Sequence, residues 1–342
     1  MTGKTKTIND LEAFIKTVYS LESIEEIRSK IEGNKDILGG QEYFVDKILG
    51  SRSVERARYY LERLLDSLSA VKTNGINDIN LNRWNDYDDI ITDSLWNFEK
   101  RDRSGTHLGW YWGNFVPQIP RQLILRYTKK GDWILDPFMG SGTTLIECKI
   151  QGRNGLGVDL NGDVVSKASE RISLQKGIEP ASVKALVADS TISDFSSMVE
   201  DSSFNGFQLA ILHPPYHDII KFSGDSRDLS NKNSVEDFLE SMRAVIRNSK
   251  KALKTNGIMA IVIGDKFNDS KLEPLGFMTM NAAMEEGLML KSIVVKNFDS
   301  TRGKRNQEKL WRYRAFSGGF YVFKHEYILI LQNTARNALR RT

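Results

Sequence analysis

The sequence predicts an α/β protein: a mostly parallel sheet covered by helices on both faces, with an antiparallel C-terminal hairpin and a helical N-terminal domain before it. From about residue 106, short apolar runs alternate with amphipathic stretches, a pattern typical of repeated strand–helix units. The last two apolar runs, KSIVVKNF and HEYILILQN, have no helical pattern between them, which predicts the hairpin. The first hundred residues instead space their apolar positions three and four apart, as amphipathic helices do.

Two domains are predicted, over residues 1–105 and 106–342. The helical stretches of the first are NDLEAFIKTVYSLESIEEIRSKI and SVERARYYLERLLDSLSAV, which carry no recognisable chemistry. A partner-binding role and a DNA-orienting role both stay open for this domain. The strands of the second, in chain order, are WILDPF, GLGVDL, VKALVADS, FQLAILHPPY, GIMAIVIGDKF and the two hairpin runs. Its helical stretches are TTLIECKIQG, VVSKASERISLQKG, VEDFLESMRAVIRNSKKALK and a short one near GFMTMNAAMEEG.

The composition excludes several functional classes. Of the 342 residues, 40% are hydrophobic and 27% are charged, as in ordinary globular proteins. No apolar run approaches the roughly 18 residues of a membrane span, and the N-terminus has no apolar signal core, so a cytoplasmic protein is expected. The single cysteine, Cys148, excludes an intramolecular disulfide and a thiolate metal site, and no metal ion is expected.

The positive charge is concentrated near the end of the sequence. The formal net charge is +4, yet residues 291–342 contain 12 Lys and Arg against 3 Asp and Glu. Such a concentration attracts polyanions such as nucleic acid. A solvated basic tail is the alternative that charge alone leaves open.

A glycine-rich loop follows the first strand of the second domain. It reads Asp136-Pro137-Phe138-Met139-Gly140-Ser141-Gly142-Thr143-Thr144 and leads into an amphipathic helix. Glycines in this context let the backbone approach a nucleotide-like ligand, and the helix start offers free N–H groups. The Gly-Lys-Ser/Thr of a phosphate loop is absent, so a triphosphate is not expected.

Acidic residues stand at three successive strand ends, Asp136, Asp159 and Asp189. An acidic side chain about twenty residues past such glycines suits hydrogen bonds to two ribose hydroxyls. Each of the three taken singly is better explained by a turn or a helix cap. Together, after a glycine loop, they predict a nucleoside pocket along the carboxyl edge of the sheet.

The fourth strand ends in His213-Pro214-Pro215-Tyr216. Two prolines cannot continue a central strand, so they predict a stiff loop at the carboxyl edge, where open sheets bind their ligands. This rigidity would aim the carbonyl of Pro214 at a ligand and leave Tyr216 free to stack on a planar one. A strand that simply ends at prolines is the alternative.

The glycine-loop motif followed by Pro-Pro-Tyr resembles the S-adenosylmethionine-dependent amino methyltransferases of DNA, which methylate adenine N6 or cytosine N4. The similarity covers roughly residues 107–333, and His325-Glu326-Tyr327 looks like the start of the family's closing strand. The resemblance implies a Rossmann-like methyltransferase sheet, S-adenosylmethionine as cofactor, double-stranded DNA as substrate and a cognate restriction enzyme as a candidate partner. It also implies a flipped target base, for which Tyr216 would be the stacking platform.

The resemblance implies roles for individual residues as well. Phe138, Gly140 and Gly142 would cradle the methionine part of the cofactor, with Asp136 beside them. Asp159 would bind the ribose hydroxyls and Asp189 would lie near the adenine. The catalytic loop would consist of His213, Pro214, Pro215 and Tyr216.

His213 departs from the family, which usually has Asp, Asn or Ser at this position. Neutral imidazole can accept a hydrogen bond from the target amine, whereas imidazolium cannot. Activity is therefore expected to fall as the pH drops through the pKa of His213; a weakened or lost catalyst is the alternative. A non-acidic residue at this position is commoner in the cytosine N4 branch, so cytosine N4 is slightly favoured over adenine N6.

Sequence recognition needs a separate part of the protein. The basic insertion at about 299–320 interleaves cations with aromatics, which suits contacts to phosphates and bases. Its predicted nucleic-acid-binding residues are Arg302, Lys304, Arg305, Lys309, Trp311, Arg312 and Arg314. A long hairpin loop that covers the sheet edge is the alternative.

Two further functions compete with DNA methylation. RNA methyltransferases that act on guanine N2 share a similar glycine loop and Pro-Pro-Tyr end, although the acidic N-terminal helices do not resemble an RNA-binding domain. A catalytically inactive DNA-binding or regulatory subunit is the other alternative, and His213 is the residue that supports it.

Overall fold

A computed structural model describes residues 8–39, 41–69, 71–177, 180–268, 271–298 and 307–334. Its internal contacts divide the chain into two compact units, Met1–Asp89 and Ile90–Thr342. In the described part of the first unit the α-helices are α1 (Ile8–Tyr19), α2 (Ile24–Glu32), α3 (Glu42–Leu49) and α4 (Val54–Ser69). Their apolar faces meet in one core around Ile15, Ile27 and Leu61, as the three-and-four spacing predicts.

The second unit contains an eight-stranded sheet with the order β1-β9-β10-β6-β5-β2-β3-β4 among the described strands. Its strands are β1 (Leu95–Asn97), β2 (Trp133–Asp136), β3 (Asn154–Asp159), β4 (Val183–Val187), β5 (Phe207–Leu212), β6 (Leu253–Ile263), β9 (Met289–Asn297) and β10 (His325–Gln332). A small antiparallel pair, β7 (Lys266–Asn268) and β8 (Lys271–Glu273), follows β6. The helices of this unit are α5 (Gln118–Tyr127), α6 (Thr143–Gln151), α7 (Gly162–Leu174), α8 (Val235–Ala252), α9 (Leu275–Glu285) and α10 (Glu308–Gly318).

The central strands of the sheet are buried on both faces. Strands β4, β3, β2, β5 and β6 are parallel neighbours, whereas β10 runs antiparallel to both β6 and β9. Successive residues of a strand point to opposite faces. Leu135 accordingly packs in the core that includes Phe238 of α8, while Ile134 packs in the core that includes Ile119 of α5. The predicted mostly parallel α/β fold with an antiparallel C-terminal hairpin is therefore confirmed.

The domain boundary differs from the predicted one at residue 105. The strand β1 pairs in parallel with β9, with Leu95 opposite Val295, and Trp96 is buried in the core of the sheet unit. Residues 90–105 therefore belong with the sheet and not with the helices. A strand of three residues is too short to show an alternating pattern, which is why the sequence placed it with the preceding helices.

The prediction that no helix separates the last two strands is wrong, because α10 lies between β9 and β10. Gly319 caps the C-terminus of this helix, and its φ of +66° suits that position. Tyr313 and Phe316 are about 70% exposed, so the helix does not gather its apolar residues on a buried face. Without that periodicity the sequence has no helical signal here. No described helix is long and apolar enough to cross a membrane.

Candidate active site

The glycine loop joins β2 to α6 at the carboxyl edge of the sheet. Gly140 has φ +47° and Gly142 has φ +75°, in the left-handed region that residues with a Cβ rarely adopt. The N–H of Gly142 donates to the carbonyl of Met139 at 2.8 Å, and α6 begins at the next residue. A Cβ at position 140 would lie 2.9 Å from the ring of Tyr111, so a larger residue would not fit.

Asp136 is buried at the end of β2, directly before this loop. Its Oδ1 accepts the backbone N–H of Phe138 at 3.0 Å. Its Oδ2 is also buried, and the hydroxyl of Thr144 lowers the pKa of the carboxyl, in opposition to burial. Burial raises the pKa of Asp136 to about 7, because a carboxylate loses its hydration in this position.

Asp159, at the end of β3, bridges two backbone segments. Its Oδ2 accepts the N–H of Gly140 at 3.0 Å and its Oδ1 accepts the N–H of Asn161 at 2.9 Å. Burial raises the pKa of Asp159, an effect that these two hydrogen bonds oppose. Because each carboxylate oxygen can accept two hydrogen bonds, the group keeps acceptor capacity for a ligand.

The structure brings four of the predicted cofactor residues, Asp136, Phe138, Gly140 and Gly142, onto one loop, with Asp159 bonded to it. Asp189 lies on the loop after β4, where its Oδ1 accepts from both the N–H and the hydroxyl of Thr191, at 2.9 and 2.6 Å. The neighbouring Ser190 hydroxyl donates to the carbonyl of Pro137 at 2.7 Å. The β4 loop is thus tied to the glycine loop, although Asp189 itself bonds within its own turn.

The loop of His213, Pro214, Pro215 and Tyr216 follows β5, the direct neighbour of β2. Parallel neighbours end at the same edge of a sheet, so this loop and the glycine loop lie at one edge. The ring of His213 packs edge-to-face against Phe115, with centroids 4.7 Å apart. Burial lowers the pKa of His213 to about 4, with Glu326 opposing this and Lys296 adding to it. The imidazole is therefore neutral near pH 7.

Tyr216 is held more firmly than the sequence predicts. Its hydroxyl donates to Oε2 of Glu326 at 2.7 Å, and its ring meets the edge of the His213 ring at 5.9 Å. Burial raises the pKa of Tyr216 well above its ordinary value, so the hydroxyl stays protonated as a donor. Part of the side chain remains accessible, but its direction is set by this bond.

His217 fixes the chain directly after Tyr216. Its φ of +53° is unusual for a residue with a Cβ. Since the carbonyl of Lys232 can only accept, the contact of 2.9 Å places the proton on Nε2 of His217. Nδ1 then accepts from Nζ of Lys266 at 3.2 Å, and the same ammonium pairs with Asp218 and Glu273. His217 and Asp218 therefore stabilise the loop.

An aromatic segment before the first core strand also reaches this edge. Tyr111 contacts Gly140 and stacks on Phe222 with centroids 5.6 Å apart. The same segment is anchored through His107, whose Nε2 contacts Oε1 of the fully buried Glu147 on α6 at 2.8 Å. The structure therefore places Tyr111 against the glycine loop, with Phe222 stacked on Tyr111.

The predicted nucleic-acid-binding residues are only partly described. Arg302, Lys304 and Arg305 lie outside the described residues, whereas Lys309, Trp311, Arg312 and Arg314 lie on α10. The guanidinium of Arg314 lies 5.2 Å from the centroid of the Trp311 ring, and that of Arg312 lies 4.8 Å from the centroid of the Phe316 ring. The helix thus exposes cations that rest on aromatic rings.

Sequence reasoning missed the ion pair of Lys296 and Glu326 beside the catalytic loop, with Nζ and Oε1 3.1 Å apart. The available signal was the presence of Lys296 and Glu326 within two apolar strands, KSIVVKNF and HEYILILQN. Buried charges are seldom left unpaired, so their pairing could have been expected from the hairpin register. The contact of Glu326 with Tyr216 depends on the order of the strands in the sheet, which the sequence does not define.

Comparison with known proteins assigns the family. A sequence model of the DNA methylase family for N6 and N4 targets matches residues 52–170 and 207–340. These matches cover most of the chain, and they include both the glycine loop and the loop after β5. The chain belongs to this DNA methylase family.

Individual relatives match over shorter stretches. The Type II methyltransferase M.XycI of Xanthomonas campestris pv. cyanopsidis is 35% identical over 82 residues, 24% of this chain and 26% of that protein. M.MjaII of Methanocaldococcus jannaschii is 47% identical over 51 residues, 15% of this chain and 10% of that protein. The matches thus span about a quarter of the first relative and a tenth of the second. A crystal structure of an S-adenosylmethionine-dependent methyltransferase from Methanosarcina mazei is 16% identical, with a TM-score of 0.40, and covers 63% of this chain and 98% of that chain.

Proposed function

We propose that this protein is an S-adenosylmethionine-dependent DNA methyltransferase that acts on the exocyclic amine of a flipped base, with cytosine N4 favoured over adenine N6. The observation that carries the proposal is the position of the His213–Tyr216 loop beside the glycine loop, with a neutral imidazole at its first residue. The family supports methylation of DNA in general. The preference for N4 rests on the non-acidic character of His213.

The residues of the glycine loop fit S-adenosylmethionine. Asp136 places a buried carboxyl group directly before the loop, and Asp159 keeps acceptor capacity beyond its two backbone bonds. Phe138, Gly140 and Gly142 would hold the methionine part beside Asp136. Asp159 would accept the ribose hydroxyls, and the β4 loop with Asp189 would lie near the adenine. When bound, the cofactor supplies an electrophilic methyl group on a sulfonium sulfur.

His213 would act on the target amine as a hydrogen-bond acceptor. The lone pair of an exocyclic amine is delocalised into its ring, which makes the nitrogen a poor nucleophile. If one N–H donates to the neutral imidazole and the other to the carbonyl of Pro214, the nitrogen becomes pyramidal and its lone pair is directed out of the base plane. The stiffness of Pro214-Pro215 keeps the two acceptors in a fixed relation, so positioning supplies much of the rate enhancement.

Access to the amine requires that the base leave the duplex, which costs a few kcal/mol. Stacking on the ring of Tyr216 would offset about 1–3 kcal/mol of that cost. The exposed cations of α10 would contact backbone phosphates of double-stranded DNA, while Trp311 and its neighbours would contact bases or sugars. A cognate restriction enzyme is the partner that a Type II methyltransferase would have.

The test is transfer of labelled methyl groups to unmethylated genomic DNA, followed by digestion and mass spectrometry of the nucleosides. N4-methylcytosine is the expected product. N6-methyladenine would retain the proposed reaction and overturn the choice of base. Cofactor binding without label in DNA would overturn the proposed function. If the same assay on RNA gave N2-methylguanine, RNA would replace DNA as the substrate.

A further inference from the structure

Two opposite charges are buried behind Tyr216. Lys296 of β9 and Glu326 of β10 are direct partners in the strand register, and their side chains are only 10% and 11% exposed. Nζ of Lys296 lies 3.1 Å from Oε1 of Glu326. An ion pair buried to this degree is weak evidence for a stabilising role, because the loss of hydration offsets much of the attraction. Its position therefore calls for another explanation.

The carboxylate of Glu326 serves two partners with its two oxygens. Oε1 pairs with Lys296, and Oε2 accepts the hydroxyl of Tyr216 at 2.7 Å. Hydrogen bonds to ionised acceptors are stronger than those between neutral groups. The attraction of Lys296 lowers the pKa of Glu326 even though burial opposes this, so the acceptor stays ionised at neutral pH.

The ring of Tyr216 is bounded on two further sides. A Cβ at position 264 would lie 3.0 Å from Cε2 of Tyr216, so Gly264 is the residue that leaves room for the ring. His213 meets the ring nearly at right angles, with an interplanar angle of 79°. A stacking platform needs only the aromatic face, and Phe would supply that face equally well. The hydroxyl is useful here because it reaches Glu326.

We propose that Glu326 is a positioning residue: by accepting the hydroxyl of Tyr216 it fixes the position of the ring on which the target base stacks, and Lys296 holds the carboxylate in place. The inference rests on the function proposed above, and it assigns the ion pair to the catalytic loop. A side chain that is free to swing about its Cα–Cβ bond would present the ring to the flipped base in many positions. Small misplacements of this kind are costly, since about 1 Å can reduce a rate by about a hundredfold.

The test compares two charge-neutral double variants, E326Q/K296M and E326M/K296M. Replacing a buried ion pair with apolar residues of similar size is often tolerated, so E326M/K296M is expected to fold. E326Q/K296M is expected to fold as well, because its uncharged amide oxygen can still accept the hydroxyl of Tyr216. They share Met at position 296 and differ only in whether residue 326 can accept a hydrogen bond from Tyr216. Each is also made with Y216F, which keeps the ring and removes the donor. Single-turnover methyl transfer to unmethylated genomic DNA is measured with DNA and cofactor saturating, and thermal unfolding is measured in parallel.

With Tyr216 present, E326Q/K296M is expected to transfer methyl groups at least about tenfold faster than E326M/K296M, at similar cofactor affinity. In the Y216F background the two are expected to be equally slow. The same tenfold difference in both backgrounds, or no difference in either, would overturn the positioning role of Glu326 while leaving the proposed function intact. A wild-type protein that binds the cofactor but leaves DNA unlabelled would instead overturn both the positioning role and the proposed function. There would then be no flipped base for Tyr216 to stack on.

Discussion

The backbone N–H of Gly140 donates to the carboxylate of Asp159 at 3.0 Å, so the residue proposed to hold the ribose also holds the glycine loop. The contact crosses from the β2 loop to the end of β3, and it requires the left-handed backbone of Gly140. Loop shape and ligand binding are therefore coupled through one side chain. Loss of the Asp159 carboxylate would disturb both at once.

Asp159→Ala is expected to weaken binding of S-adenosylhomocysteine by at least about tenfold, because it removes two charge-assisted acceptors and loosens the loop. Isothermal titration calorimetry measures this directly without any DNA. Glu170→Ala is the matched control, since Glu170 is an exposed acidic residue on the following helix. Equal affinity in wild type and Asp159→Ala would contradict the pocket assignment.

The low pKa of His213 predicts the acid limit of activity. With burial lowering that pKa to about 4, the imidazole stays neutral down to about pH 5 and gains a proton below that. The rate of methyl transfer is therefore expected to stay level from pH 8 to about pH 5.5 with respect to this group, and to fall as the pH approaches 4. A fall centred near 6.5, the ordinary value for histidine, would contradict this interpretation.

His213→Asn separates this titration from that of the buried carboxyl groups. The amide keeps an acceptor oxygen and does not ionise, so this variant is expected to retain measurable transfer and to lose the limb of the pH profile that His213 causes. His213→Ala removes the acceptor and is expected to reduce the turnover number by about a hundredfold. The pH profiles of wild type and His213→Asn are compared under saturating cofactor.

The raised pKa of Asp136 predicts that the folded protein becomes less stable as the pH rises, whereas the low pKa of His213 limits activity at acid pH. Because the pKa of Asp136 is about 7 in the folded protein and 3.8 in the unfolded chain, the folded state keeps a proton that the unfolded chain releases between these values. The stabilising contribution is complete below about pH 3.8 and is lost as the pH rises through about 7. Above that pH the folded protein carries an unfavourable buried carboxylate.

Asp136→Asn is therefore expected to raise the melting temperature of the cofactor-free protein at pH 8.5, by about 4 °C or more, and to raise it less at pH 5. The amide oxygen can still accept the N–H of Phe138. Differential scanning fluorimetry at the two pH values, together with calorimetry for cofactor affinity, makes the comparison. An equal change at both pH values would show that the carboxyl does not titrate as described. We also expect weaker cofactor binding.

The sequence predicted the features that depend on local pattern. Alternating apolar runs indicated the strands, and the glycines at 140 and 142 indicated a loop, in which both residues have positive φ. The three-residue strand β1 was missed, because its place in the sheet depends on pairing with β9, far along the chain. The helix α10 was missed because its exposed aromatic residues leave no apolar stripe.

The site was predictable only as far as neighbouring residues define it. The loop motifs supplied Asp136, Gly140 and His213, but the contact of Tyr216 with Glu326 joins residues 110 positions apart. Such a contact follows from the insertion of β10 between β6 and β9, which no spacing in the sequence encodes. The shifted pKa of His213 has the same origin, since burial and the charges of β9 and β10 are properties of the assembled sheet.

The exposed cations of α10 predict a salt dependence of DNA binding. Arg312 and Arg314 lie against Phe316 and Trp311, which holds their guanidinium groups near the surface where phosphates can approach. Each phosphate contact releases counterions and contributes about 0.9 to the slope of log affinity against log salt concentration. Arg312→Gln and Arg314→Gln are each expected to reduce the steepness of that slope by about one and to weaken binding to all sequences alike.

Fluorescence anisotropy with a labelled duplex gives these slopes when it is measured between about 50 and 200 mM salt. In this range log affinity falls about linearly with log salt concentration. Lys251→Gln is the matched control, because it removes an exposed cation from the end of α8. Lys251 lies next to the start of β6, which is at the opposite edge of the sheet from the catalytic loop. Its slope is expected to equal that of the wild type, because no phosphate would approach that edge. If all three variants gave the wild-type slope, α10 would not contact the backbone of DNA; if Lys251→Gln alone reduced it, DNA would lie at the other edge.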